Sequence, residues 1–102
     1  MKTEKFNEVI KQRIALCLDV LINKAKEYAT EDRLHNFKVA ASVQGIKPIE
    51  ALAGMMAKHT VSIYDMMRSG KEYPIELWDE KIGDHINYLL LLRALLEDDK
   101  ND

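Results

Sequence analysis

Apolar residues recur every three or four positions along most of this chain, and that spacing constrains the fold more than any other feature. In the first segment they are Phe6, Val9, Ile10, Ile14, Cys17, Leu18, Leu21, Ile22 and Ala25. Such spacing is typical of a helix with one buried face. No segment shows the two-residue alternation of a strand. We therefore predict an all-α fold in one domain spanning residues 1–102.

The first two predicted helices are separated by a polar turn. The first helix runs from Thr3 to about Ala29. Thr30 suits the N-cap of the second, because its hydroxyl can accept a hydrogen bond from a free backbone N–H. That helix continues to about Val43, and Gly45 ends it, since glycine readily adopts the left-handed conformation of a helix C-terminus.

Proline and glycine also bound the third and fourth predicted helices. Pro48 suits the first turn of the third helix, where its missing N–H has no partner in any case. This helix stops at Ser69–Gly70, and Pro74 opens a fourth that runs to Leu96. We expect the polar tail 97–102 to fray. Because the connections are short, consecutive helices should reverse direction, which predicts a four-helix up-and-down bundle.

Charge and cysteine content narrow the classes of partner. The chain has 15 Lys and Arg and 17 Asp and Glu residues, a net charge of -2, with no basic cluster to bind duplex nucleic acid. The single Cys17 lies among apolar residues and is expected in the core of a cytoplasmic protein, in a bacterium or a phage-infected cell. The first residues lack the apolar stretch of a signal peptide. Arg93 interrupts the leucine run, so no membrane span is expected.

The fourth predicted helix is apolar on nearly all sides between Ile86 and Leu96. A helix of this kind must be covered on more than one face, and a short bundle offers little cover. We therefore predict a homo-oligomer, most simply a dimer. The alternative is that this helix is the central helix of a monomer.

Candidate functional residues begin with acidic and amide side chains on the fourth helix. Glu80, Asp84 and Asn87 stand at positions i, i+4 and i+7 and so form one stripe, which continues into Leu91. These polar groups therefore lie in line with an apolar face. An ionised carboxylate removed from water needs a cation or hydrogen-bond donors to compensate it.

A similar acidic continuation is predicted on the first helix. Glu27 continues the line of Leu16 and Val20, and Glu31 lies one turn further if the helix persists. Oxygen ligands from two facing helices are what Mg²⁺ or Mn²⁺ prefers, with water and substrate phosphates completing the coordination. The sequence thus predicts a divalent-metal site between the first and last helices.

A purely structural interpretation stays open beside this one. Glu27 could pair with Lys24, and Asp84 with Lys81, as ordinary ion pairs on a helix surface. Gly83 favours the functional interpretation, because glycine inside a helix costs about 1 kcal/mol relative to alanine and usually permits a close approach. We expect another group to pack against Gly83, either a ligand or a crossing helix.

The segment WDEKIGDHINYLLLL resembles the EELGDVLWYL segment of the all-α nucleoside triphosphate pyrophosphohydrolases, the MazG-like and dimeric dUTPase group. More closely, KEYATEDRLHNFKVAA, MMAKHTVSIYDM and WDEKIGDHINY together resemble small phage-encoded domains of unknown function that are distant relatives of that group. The resemblance covers roughly Lys24 to Leu92.

This resemblance implies a dimeric helical protein in which carboxylates hold Mg²⁺ against nucleotide phosphates, and water attacks phosphorus to release pyrophosphate. It also departs from the family pattern, because Lys24 and Lys81 occupy positions where relatives carry acids, which predicts weaker metal binding. Glu31 and Glu80 are the candidates to replace those acids. The implied metal or catalytic residues are Glu27, Glu80 and Asp84, and the implied phosphate contacts are Lys24, Arg33 and Lys58.

Three further side chains complete the predicted site and its surroundings. Tyr28 should lie close to the site because it adjoins Glu27, and Asn36 could hydrogen-bond a ligand or cap a turn. His59 lies on an apolar line and is expected to be a core residue. The alternative function is a non-enzymatic helical oligomer, an interaction protein whose polar stripe only sets helix register.

Overall fold

The computed structural model describes residues 1–23 and 32–100. Within these ranges the chain forms four α-helices and one π-helical segment, and no strand. The all-α prediction is therefore confirmed for the described residues. The helices are α1 (Thr3–Leu18), α2 (His35–Gln44), α3 (Pro48–Ser69) and α4 (Ile75–Lys100), and the π-helical segment is Asp19–Asn23. None of these helices is both long and apolar enough to cross a bilayer.

The α2–α3 connection forms as the glycine and proline pattern predicts. Gly45 has a φ of 68° and a ψ of 35°, the left-handed conformation that glycine adopts without steric penalty. The N–H of Ile46 donates to the carbonyl of Ala41 at 3.0 Å, which satisfies one of the free carbonyls at the helix end. Pro48 is the first residue of α3, so the chain reverses within three residues.

The first helix departs from its predicted course. The α-helix ends at Leu18, and the π-helical segment continues it to Asn23. Thr30, the predicted N-cap of the second helix, and the predicted end of the first near Ala29 lie outside the described residues. The second helix begins at His35, where the Asp32 carboxylate accepts a hydrogen bond from the N–H of Leu34 at 2.9 Å. Asp32 therefore organises the entry to α2.

The core lies between α2, α3 and α4. Its buried members are Leu34, Phe37, Leu52 and Leu95, and partly buried residues packed against them are Met55, Met56, Tyr88, Leu91 and Leu92. In contrast, α1 packs against α4 and has a single buried residue, Cys17. The described core is thus built by three helices, and α1 is attached to one side of it.

The direction of α1 relative to α4 follows from which residues meet. Arg13 pairs with Asp79 near the start of α4, whereas Leu21 lies with Leu90 and Leu91 further along the same helix. Both helices therefore run the same way at their contact. An up-and-down four-helix bundle places its first and last helices antiparallel, so the predicted alternation does not hold for this pair.

The end of α4 reaches Lys100, four residues beyond the boundary predicted at Leu96. Three ion pairs lie at or beside this extension. The Lys38 ammonium contacts Asp98 at 2.9 Å and Asp32 at 2.7 Å, and Arg93 contacts Glu97 one turn along the helix. Lys38 thus ties the end of α4 to the loop before α2.

The contact between Asp32 and Lys38 predicts how pH affects the loop before α2. The hydrogen bond from Lys38 and that from the backbone of Leu34 lower the pKa of Asp32 below its ordinary 3.8, and the two carboxylates raise the pKa of Lys38. A lowered carboxyl pKa contributes stability that is present above pH 3.8 and lost as pH falls through the lower folded-state value. We expect the contact between Asp32 and Lys38 to persist at pH 4 and to weaken at lower pH, which would loosen the loop before α2.

Backbone chemical shifts across a pH titration measure this directly. Lys38→Met should loosen residues 97–100 already at pH 7, because the ammonium that holds Asp98 is gone. Lys5→Met is the matched control, since Lys5 forms only a solvent-exposed pair with Glu8 on α1. An unchanged α4 end in Lys38→Met would contradict the assignment.

Candidate functional site

A cavity of about 320 Å³ lies between α1 and α4. Its volume is at the lower end of the range typical of small-ligand sites. The walls are mainly apolar, and charged groups from both helices reach them. The lining residues are Arg13, Leu16, Cys17 and Val20 on α1 and the π-helical segment, and Glu76, Asp79, Glu80, Ile82, Gly83, Asp84, Ile86 and Asn87 on α4.

The structure brings the stripe predicted on the fourth helix to this cavity. Glu80, Asp84 and Asn87 all line it, as their i, i+4, i+7 spacing on one helix requires. Leu16 and Val20, the apolar line that the sequence connects to Glu27, form part of the opposite wall. α1 and α4 therefore face each other across this cavity, and in the described part of the chain all of its carboxylates come from α4.

Four predicted site residues fall on the segment between the described ranges. Lys24, Glu27, Tyr28 and Glu31 lie outside the described residues, and so does the predicted contribution of the first helix to a metal site. The three that remain are separated from the α1–α4 cavity. Asn36 and Lys58 are exposed and line neither this cavity nor the second one described below.

Arg33 lies in a different place from the one its predicted phosphate contact requires. It lines a second cavity, of about 340 Å³, together with apolar residues that include Leu21, Leu90 and Leu91. Its guanidinium donates to the backbone carbonyl of Leu21 at 2.9 Å. Arg33 therefore contacts the backbone of the π-helical segment.

Asp84 has a different partner from the one the ion-pair interpretation assumes. Its carboxylate lies 3.9 Å from Nδ1 of His59 on α3, and the described residues contain no ion pair between Asp84 and Lys81. The His59 ring also packs at 5.0 Å from the Tyr88 ring. The His59 side chain is 19% exposed, so it lies at the edge of the core and not within it, and it connects the core to the cavity wall.

Two features of α4 bear on what the cavity could hold. The side-chain oxygen of Asn87 is buried and has no hydrogen-bond partner among the described residues. Such an atom is costly unless something else supplies a donor or a cation. A Cβ built at Gly83 would meet no atom within 4 Å. In the described part of the chain no crossing helix packs against Gly83, and the glycine borders the open space of the cavity.

Sequence reasoning missed the ion pair between Arg13 and Asp79. Their charged groups are 2.9 Å apart, and their side chains are 28% and 34% exposed. A signal was present in the sequence: Arg13 stands three, four and seven residues before Leu16, Cys17 and Val20, so it belongs to the same helix face. A charged side chain on an otherwise apolar helix face indicates that a polar site lies beside that face.

The donor set can be compared with what a divalent metal needs. In residues 1–23 and 32–100 no three His, Cys, Asp or Glu side chains converge on one point. Glu80 and Asp84 nevertheless supply two carboxylates to one cavity, and Asn87 supplies a buried oxygen with no partner. Mg²⁺ is commonly held by one or two carboxylates, while phosphates and water complete its shell. The residues fit an open magnesium site of this kind and do not form a closed metal cage.

Comparison with known proteins finds no family model that matches the chain and no significant match among curated proteins or solved structures. Function must therefore be argued from the cavity and from the motifs quoted above.

Proposed function

We propose that this chain is a MazG-like helical domain that binds a nucleotide together with Mg²⁺ in the cavity between α1 and α4. The observation that carries the proposal is the position of Glu80 and Asp84 on one ligand-sized cavity, one helical turn apart. The resemblance of the WDEKIGDHINY segment to pyrophosphohydrolase motifs falls on the same wall and supports the same ligand class.

The charge of the cavity supports a metal-dependent ligand. Four carboxylates and one guanidinium line it, so a free phosphate group would meet net negative charge. A divalent cation between carboxylates and phosphates removes that repulsion and links the two. We therefore expect the nucleotide and the metal to bind as a pair.

The reaction proposed for this site is hydrolysis of a nucleoside triphosphate to the monophosphate and pyrophosphate. When bound, the metal polarises the phosphoryl oxygens and orients a water molecule. In the proposal Glu80 and Asp84 hold the metal, and Asn87 donates to or accepts from the ligand through its side-chain amide. Glu27 and Glu31, which lie outside the described residues, are proposed as further oxygen ligands, with Lys24 and Tyr28 as secondary contacts.

Thermal denaturation with and without ligand tests the binding step. Mg²⁺ with a nucleoside triphosphate should raise the melting temperature, since a ligand at 100 times its Kd adds about 2.7 kcal/mol to the free energy of unfolding. Asp84→Asn should abolish most of the shift, because an amide keeps the shape of the carboxylate and loses its charge. A pyrophosphate-release assay across common nucleotides then tests catalysis.

Asp65→Asn provides the matched control, because Asp65 is an exposed acid on α3 that does not line the cavity. It should keep the full ligand response. If Mg²⁺ and nucleotides leave the melting temperature of the wild-type protein unchanged, the proposal is ruled out. A wild-type shift in melting temperature in Asp84→Asn would also rule it out.

A second proposed function is that of a non-enzymatic helical oligomer, and a specific observation favours it. Phe6, Ile10 and Ile14 form a stripe along α1 and are 55%, 46% and 45% exposed. Ile82, Leu89 and Leu96 are 37%, 49% and 41% exposed at intervals of seven residues on α4. Apolar stripes of this length are typical of helix-to-helix association. We propose that a second copy of the chain covers both stripes.

A homodimer is compatible with either function. A stable interface covers about 800 Å² on each partner. The exposed apolar side chains of α1 and α4 are the ones proposed to contribute to it. The nucleotide response distinguishes the functions, because a purely structural oligomer gives none. The dimer itself is tested by the variants described in the Discussion.

A further inference from the structure

We infer that Arg13 is the anion-binding residue of the α1–α4 cavity and that Asp79 holds its guanidinium in place until a metal-bound phosphate displaces the carboxylate. The inference rests on the proposed function and adds the residue that recognises the phosphate. Arg13 is the cationic side chain among the residues that line the cavity, and it comes from the wall opposite the stripe of Glu80 and Asp84.

The geometry explains why Arg13 suits this role. The guanidinium is planar and can donate two parallel hydrogen bonds to a carboxylate or to a phosphate. In the structure the Asp79 carboxylate forms an ion pair with it at a distance of 2.9 Å. Because both side chains keep about a third of their surface exposed, a ligand phosphate can reach the guanidinium without disrupting the core. The Asp79 carboxylate thus occupies the position that a ligand phosphate would take beside Arg13.

The distribution of charge explains why a phosphate can displace the Asp79 carboxylate from Arg13 only when the metal is bound. A phosphate that approaches Arg13 alone must also approach Asp79, Glu80 and Asp84. Once a divalent cation is bound by Glu80 and Asp84, the local charge favours a phosphate that bridges the cation and the guanidinium. We therefore expect pyrophosphate to bind in the presence of Mg²⁺ and not in its absence.

The sequence alone pointed to other phosphate contacts. Lys24 lies outside the described residues, Lys58 is exposed on α3, and Arg33 donates to a backbone carbonyl at the second cavity. None of these three is placed by the described structure at the cavity that holds Glu80 and Asp84. In this inference Arg13 supplies a phosphate contact that the motif did not indicate.

Calorimetric titration tests the inference with two probes, Mn²⁺ alone and inorganic pyrophosphate in saturating Mg²⁺. Arg13→Ala should keep its affinity for Mn²⁺ and lose about ten- to a hundredfold in affinity for pyrophosphate, as expected for a charged hydrogen bond. Arg13→Lys should fall between wild type and Arg13→Ala, since it keeps the charge and loses the paired donors. A melting curve for each variant confirms that it is folded.

The role of Asp79 needs a control for charge alone. Asp79→Asn and Glu76→Gln each remove one negative charge from the same cavity wall, but only the first releases Arg13. Pyrophosphate should bind more tightly to Asp79→Asn than to Glu76→Gln. In a double-mutant cycle the gain from Asp79→Asn should shrink to that of Glu76→Gln once Arg13 is alanine.

The outcomes separate the two proposals. Mn²⁺ binding with equal pyrophosphate affinity in wild type and Arg13→Ala overturns the role of Arg13 and leaves the metal site standing. Absence of both Mn²⁺ and pyrophosphate binding in the wild type overturns the proposed function and, with it, this inference. Pyrophosphate binding without metal overturns the exchange mechanism.

Discussion

Replacing Leu52 with alanine is expected to lower the free energy of unfolding by about 2 to 5 kcal/mol, the range for a leucine removed from a packed core. Leu52 is 2% exposed and lies in the cluster formed by α2, α3 and α4. Because small domains have only about 5 to 15 kcal/mol in total, this one substitution should remove a large part of the stability. Urea denaturation followed by circular dichroism measures the change.

Val43→Ala is the control for this substitution. Val43 is 81% exposed on α2, so its loss should change the stability by no more than about 0.5 kcal/mol. Equal unfolding midpoints for Leu52→Ala and Val43→Ala would mean that the packing of α2 on α3 described here is not the core of the folded protein.

The second large expected effect concerns self-association. The double variant Phe6→Glu, Ile10→Glu should dissociate the proposed homodimer, with a Kd raised more than about a hundredfold. Each buried aromatic or branched side chain contributes roughly 1.5 to 3 kcal/mol, and every 1.4 kcal/mol is a factor of ten. Both residues are about half exposed within one chain, so the fold of the monomer should survive. Light scattering and sedimentation at micromolar concentrations report the mass.

Val43→Glu serves as the control, since it places the same charge on an exposed valine of α2, away from both stripes. This variant should remain a dimer. A monomeric wild-type protein at these concentrations, or a double variant that associates as the wild type does, would show that the stripes on α1 and α4 are not an interface.

Features that depend on the backbone geometry of a few neighbouring residues could be predicted from the sequence. Gly45 and Pro48 predict the α2–α3 turn because one adopts a left-handed conformation and the other lacks an N–H. The stripe from Glu80 to Asn87 reaches one cavity because the period of an α-helix determines which side chains share a face. These predictions depend on local geometry alone.

Two parts of the site depend on more than local geometry. The π-helical segment after Leu18 takes more residues per turn than an α-helix, so the α-helical spacing predicted for the first helix does not hold within Asp19–Asn23. The ion pair between Arg13 and Asp79 depends on the parallel packing of α1 against α4. The short connections of the sequence favoured the opposite orientation for these helices.

The attachment of α1 by a single buried residue has a consequence for any ligand of the cavity. Local opening of a segment with few buried contacts requires less free energy than global unfolding. Since one wall of the cavity belongs to α1, detachment of this helix would dismantle the binding surface while α2, α3 and α4 kept their shared core. Ligand occupancy of the cavity would therefore be coupled to an order–disorder equilibrium of the amino-terminal segment. A bound ligand would hold α1 against α4 and so add to the attachment that its few apolar contacts provide.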